Sequence, residues 1–146
     1  MDYSSIPIFS QDVGDKIRKI KFLPTQAANK KDCSIFATGS WDSANRDNAV
    51  KIWQSNHESQ NLTEHLDEAV QFAQIAEFSI KKSEVTDLKF FCQNIEDRIV
   101  FSTSKGQIYL LKLLLEKRKL LEVHKWENLH CFAGRTASIN AFSINK

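Results

Sequence analysis

The strongest constraint on this chain is that it repeats itself. Ile17, Ile20 and Phe22 are apolar, with Arg18, Lys19 and Lys21 between them. Val85, Leu88 and Phe90 take the same places, and Ile139, Phe142 and Ile144 take them a third time. A recurring unit of this size cannot bury its own apolar face, so it has to stack on a neighbour. Hairpins align as well. Ile35–Ser40 lies over Ile99–Ser104, and Val50–Trp53 over Ile108–Leu111. After each hairpin comes a connection and a last apolar run, Ala73–Ile80 in the first unit and Glu122–Phe132 in the second. Alternating apolar residues of this kind predict strands, about four to a unit.

The clearest hairpin runs from Ile35 to Trp53. Its first strand carries small Ala37 and Gly39, which predicts close approach of a neighbouring backbone. In its second strand Val50 and Ile52 share one face while Lys51 and Trp53 share the other. Ser43–Asn48 is turn chemistry except for Ala44, and is too long for a two-residue turn, so an exposed loop is expected. Gln54–Gln71 reads as a polar insertion. Within it Leu62, Leu66 and Val70 fall at helical spacing, which predicts a short helix over about Leu62–Phe72. Leu110–Leu121 is rich in leucine, a good helix former, and alone would read as helix. The repeat register instead predicts strand through about Leu113 and then a charged turn.

The chain has 146 residues, 42% of them hydrophobic, which suffices for a folded core and fits one domain. Its net charge of +2 gives no strong pull toward nucleic acid or acidic lipid. No apolar run approaches the ~20 residues of a membrane span. Asp2 stands where a secretory signal would carry basic residues, so none is expected. Cys33, Cys92 and Cys131 are far apart and odd in number, which predicts free thiols in a reducing compartment.

Residues with catalytic or metal-binding chemistry are scattered. His124, His130 and Cys131 are the nearest ligand types, and their spacing matches no zinc site. Glu64, Asp67 and Glu68 lie in the polar insertion without a partner motif, as a solvated face would. No phosphate loop, dinucleotide fingerprint or nucleophile elbow occurs. No enzyme activity, metal or cofactor is therefore expected. Lys30-Lys31, Lys81-Lys82 and Lys117-Arg118-Lys119 read first as turn residues and second as phosphate contacts. Trp41 stands at a strand end beside the Ser43–Asn48 loop, where an aromatic can serve a partner.

Phe36-Ala37-Thr38-Gly39-Ser40-Trp41-Asp42 followed by Ile52-Trp53 resembles the inner hairpin of a WD-repeat β-propeller blade. Within that superfamily the ordered set from Lys16-Ile17 and Pro24, through Val85–Phe91 and Arg98–Val100, to Trp126 is similar to WD-repeat nucleoporins of the Y-shaped outer-ring nuclear pore complex. Two features depart from the pattern. Lys82-Ser83-Glu84 stands where a Gly-His dipeptide usually precedes a blade, and Gln54 replaces the Asp that often follows the Trp. The units, beginning at Ile17, Val85 and Ile139, are also longer than the ~40–45 residues usual for a WD repeat, which implies insertions.

The resemblance implies an all-β fold of WD-repeat propeller blades: a tail or edge strand over 1–15, a first blade over 16–82 with an insertion at 54–71, a second over 83–134, and the start of a third at 135–146. Two blades and a first strand make an incomplete propeller with an open apolar flank. It further implies a non-catalytic scaffold at the nuclear envelope, with other outer-ring nucleoporins as partners, no small-molecule substrate and no membrane insertion. Roles in messenger RNA and protein transport, and at the kinetochore, come with the family alone. Trp41, Asn45, Arg46 and Asp47 are the expected partner-binding residues. A substrate receptor of a ubiquitin ligase, or a nucleic-acid-binding module using the lysine clusters, remain alternatives.

Overall fold

Strand-forming residues alternate with turns through the described residues, and the fold follows that alternation. The computed structural model describes residues 14–24, 34–42, 46–55 and 72–145. Two four-stranded antiparallel sheets form, each a simple meander. The first comprises β1 (Ile17–Phe22), β2 (Ile35–Ser40), β3 (Asn48–Ser55) and β4 (Phe72–Ile80). The second comprises β5 (Val85–Gln93), β6 (Glu96–Thr103), β7 (Ile108–Leu114) and β8 (Lys119–Trp126). A short hairpin of β9 (Cys131–Phe132) and β10 (Arg135–Thr136) follows. Among the described residues no helix forms.

Leucine-rich Leu110–Leu121 is strand, turn and strand. Leu111, Leu113 and Leu120 are buried in the core at alternating positions, so packing overrides the helix preference of leucine. Arg118, at φ +48°, donates its backbone N–H to the Leu115 carbonyl and closes the turn. The expected helix over Leu62–Phe72 lies outside the described residues except for Phe72, which is the first residue of β4. Gln54 and Ser55, placed with the insertion in the sequence reading, belong to β3.

The two sheets share one plan down to their irregularities. A register shift falls between Ile17 and Lys19 on β1 and between Val85 and Asp87 at the matching place on β5. A second falls between Ile52 and Trp53 on β3 and between Leu110 and Leu111 on β7. Such bulges are local devices that bend a strand and increase its twist. In this register Phe36, paired with Phe22 and Trp53, corresponds to Ile99, paired with Phe90 and Leu111. The alignment by hydropathy laid Phe36 over Val100, one residue out; its alignment of β3 over β7 agrees with the structure. A slip of one residue exchanges the two faces of a strand, and the faces decide the stacking. The first sheet turns Ala37, Val50 and Ile52 toward the second, which answers with Ile99, Phe101 and Leu111. Matched strands therefore use opposite faces, and the units stack front to back.

Phe78 of β4 joins the sheets by packing on Phe101 and Tyr109, whose rings stack at 4.8 Å. Behind the first sheet Phe36, Trp53 and Phe72 form a separate cluster, and the Trp53 indole N–H donates to Thr38 Oγ1 at 3.0 Å. Gly39 is where the sheets come closest. A Cβ there would lie 2.5 Å from Val85 Cγ1, so the close neighbour is a side chain rather than the backbone expected. Gly39→Ala has to push β5 away from β2, and a loss of about 1–3 kcal/mol is expected in chemical denaturation.

Ser138–Ile144, the third alternating run, forms no strand pairing among the described residues. It nevertheless lies on the second sheet as β5 lies on the first. Thr86 and Ser102 donate their hydroxyls to the Ile139 carbonyl, and the Phe142 N–H donates to Asp87 Oδ2. Ser102 corresponds to Gly39, and Ile139 to Val85.

Candidate interaction rim

Loops joining antiparallel strands collect at the ends of a sheet, and one end of this molecule gathers the β2–β3, β4–β5 and β6–β7 connections with the β8–β9 segment. They are tied into one surface. Asn48 is the hub. Its Oδ1 accepts from Ser40 Oγ at 3.2 Å and from the Asp42 N–H at 2.8 Å. Its Nδ2 donates to the Arg46 carbonyl at 3.3 Å and, across the seam between the sheets, to the Ser83 carbonyl at 2.8 Å. Asn48 is 3% exposed, so it is a buried strand residue and not the exposed loop residue expected from its neighbours. The Ser104 Oγ accepts from the Glu84 N–H, and the Leu129 N–H reaches the Gly106 carbonyl, which extends the network around the rim.

The four residues expected at a partner site separate here. Trp41 is 46% exposed, its ring 5.2 Å from the Arg18 guanidinium and its backbone N–H bonded to the Lys16 carbonyl at 2.8 Å. Arg46 is exposed and pairs with Asp42 at 3.0 Å. Asp47 accepts the Lys82 N–H at 3.1 Å, which braces the positive-φ turn at Lys82. Asn45 lies outside the described residues. Trp41, Arg46 and Asp47 thus share the rim, with Asp47 committed to holding the two sheets together.

A cleft of about 330 Å³ opens beside this rim, between the outer strands of the two sheets. Phe78, Ser79, Ile80 and Lys81 form one wall; Lys105, Gln107, Tyr109, Glu122 and Lys125 form the other. The Lys125 ammonium pairs with Glu127 and sits 5.2 Å from the Tyr109 ring centroid. Glu127, held by that pairing, titrates below the ordinary carboxylate value, while Lys125 titrates above the ordinary ammonium value for the same reason. Lys81 and Lys105 make no ion pair among the described residues. Sequence reading passed over this cleft because Lys81 looked like a turn residue, and Lys105 and Lys125 belong to no cluster along the chain.

At the opposite end of β6, Glu96 binds Lys112 and Arg98, whose hydrogen bonds hold its carboxyl below the ordinary value. A carboxylate with a lowered folded-state pKa contributes stability above its unfolded pKa and loses it as pH falls through the folded one. Asp97, raised by burial, acts in the opposite sense and disfavours the folded state where it is ionised. Glu96→Gln is therefore expected to flatten the fall in melting temperature between about pH 5 and about pH 3, read by circular dichroism.

Cys92 and Cys131 are free and exposed; Cys33 lies outside the described residues. His124 packs edge-on against Trp126 at 4.4 Å, and His130 Nδ1 lies 3.0 Å from the Ser138 carbonyl. Among the described residues no group of three or more His, Cys, Asp or Glu could hold a metal ion, and no helix is long and apolar enough to cross a membrane. No protein-family model and no curated protein sequence matches this chain.

Proposed function

We propose that this chain is a non-catalytic scaffold built from WD-repeat propeller blades, working by surface recognition in the outer-ring complex of the nuclear pore. The observation that carries the blade reading is the seating of Ser138–Phe142 on the second sheet in the place that β5 occupies on the first. A two-sheet sandwich has no use for a third copy of that strand, whereas a propeller requires one for each blade. Repeated bulges and front-to-back stacking support the same reading. The nuclear pore assignment rests on the ordered resemblance to the forty-three-kilodalton WD-repeat nucleoporin and on nothing in the geometry. Transport and kinetochore roles follow from that resemblance. On this reading Trp41 and the β2–β3 loop meet partner chains, and the protein resides at the nuclear envelope.

Affinity purification of the tagged chain at endogenous level, followed by mass spectrometry, tests this. Recovery of outer-ring nucleoporins is the expected result. Ligase subunits would favour the substrate-receptor alternative, and chaperones alone would mean that these two units do not suffice for docking.

The stacking also leaves apolar residues of β8 uncovered. Leu121, Val123 and Trp126 are 38%, 47% and 38% exposed. The isolated chain is therefore expected to self-associate reversibly through β8 as its concentration rises. A monodisperse monomer at every concentration, with mass read by light scattering, would overturn the open-flank reading.

A further inference from the structure

We propose that the cleft between the outer strands of the two sheets binds a carboxylate side chain of an extended, acidic partner segment. The charge around it argues for a single negative charge. Lys81, Lys105 and Lys125 line it with Glu122, and Glu127 pairs with Lys125, so the lining together with that partner carries one net positive charge. Lys125 is already held by Glu127, which leaves Lys81 and Lys105 as the ammonium groups open to a ligand. One carboxylate neutralises the site; a phosphate dianion would leave it negative.

The floor suits the stem of such a side chain. Phe78 and Tyr109 line the cleft and meet edge to face at 5.7 Å, with Phe101 stacked on Tyr109 in the core, so two aromatic rings stand in the same cleft as the lysines. Gln107 stands at the wall, its amide donating to Glu127 at 3.3 Å, with the Tyr109 hydroxyl 3.4 Å from its Oε1. Both are polar neighbours that an incoming carboxylate could engage by small rotations.

Flanking backbone favours an extended ligand. Among the described residues β4 and β8 are the outermost strands of their sheets, and beside the cleft, at Phe78–Lys81 and Glu122–Lys125, no further described strand pairs with their outer edges. Such edges accept an added strand, and main-chain pairing there supplies affinity while side-chain pockets supply specificity. Nucleic acid fits less well. The lysines converge on one cleft instead of tracking a backbone, and the aromatic rings pack on each other, with Tyr109 7% exposed, and are not free to stack on bases.

The test uses a blocked pentapeptide of alternating apolar residues with a central glutamate, and its glutamine twin, titrated into the isotope-labelled 146-residue chain. Shifts of amide resonances at residues 79–81, 105–109 and 122–125 are expected for the glutamate peptide, with at least tenfold weaker binding of the twin. The Lys81→Ala, Lys105→Ala double variant is expected to lose at least tenfold while its spectrum elsewhere stays unchanged. Equal affinity for the two peptides, or shifts confined to other residues, would overturn the proposal. So would tighter binding of a phosphoserine peptide or of a short oligothymidylate at these residues. None of these outcomes bears on the nuclear pore assignment, which the purification tests separately.

Discussion

Phe101→Ala is expected to destabilise the fold by about 3–5 kcal/mol, the range for deleting a buried aromatic ring from a close-packed core. Phe101 is fully buried and lies where the two sheets meet. Its ring stacks on Tyr109 at 4.8 Å and lies 6.1 Å from Phe78 of the other sheet. Removing it opens a void that neither backbone ladder can collapse to fill, because both are fixed by their own pairing. Equilibrium denaturation followed by tryptophan fluorescence measures the loss. Phe101→Leu, which retains most of the volume, is expected to recover more than half of it. If both variants cost the same, the contribution of Phe101 would be aromatic contact and not filled space.

Asn48→Ala is expected to cost about 2–3 kcal/mol, and through a different mechanism. It deletes no large volume. It leaves the Asp42 N–H and the Ser83 carbonyl without the partners they have across the rim, and an unsatisfied buried polar group carries its full desolvation penalty. Asn48→Asp supplies the acceptor but not the donor, so it restores the Asp42 and Ser40 contacts and leaves Ser83 facing a carboxylate. Alanine is therefore expected to loosen both the β2–β3 loop and the seam, and aspartate chiefly the seam. Amide hydrogen exchange at Asp42 and at residues 83–85 separates these outcomes. Faster exchange at Asp42 in both variants would contradict the assignment of its contact to Oδ1.

Much of the fold was legible because each strand is a short apolar or β-branched run set between turn residues. The alternation of β7 announces one inward face, whereas β2 is buried at all six positions, so its composition marks a strand without saying which face meets which neighbour. Faces alone do not give register. Phe36 and Val100 are both apolar, and nothing in hydropathy says that Phe36 answers to Ile99; that follows from cross-strand pairing. Asn48 was hidden for a related reason. Its neighbours Arg46 and Asp47 are turn residues, and the burial of an asparagine depends on what its amide can reach, here a carbonyl 35 residues along the chain. The cleft needed both sheets in place before its three lysines shared anything. Trp41 could be read in advance, since its exposure depends only on lying past the end of a strand.

The seams after the two sheets are closed by opposite devices. Asn48 bridges the first with a side chain. Gly106 holds the corresponding place in the second, at φ +71°, and a Cβ there would come within 2.7 Å of the Ala137 carbonyl oxygen. One joint is a clasp and the other a bare fit. The clasp fails when its chemistry is lost and accepts no apolar substitute of equal size; the bare fit fails when anything at all is added. Two copies of one unit thus present opposite tolerances at the same position, and random substitution will wear them out in different ways.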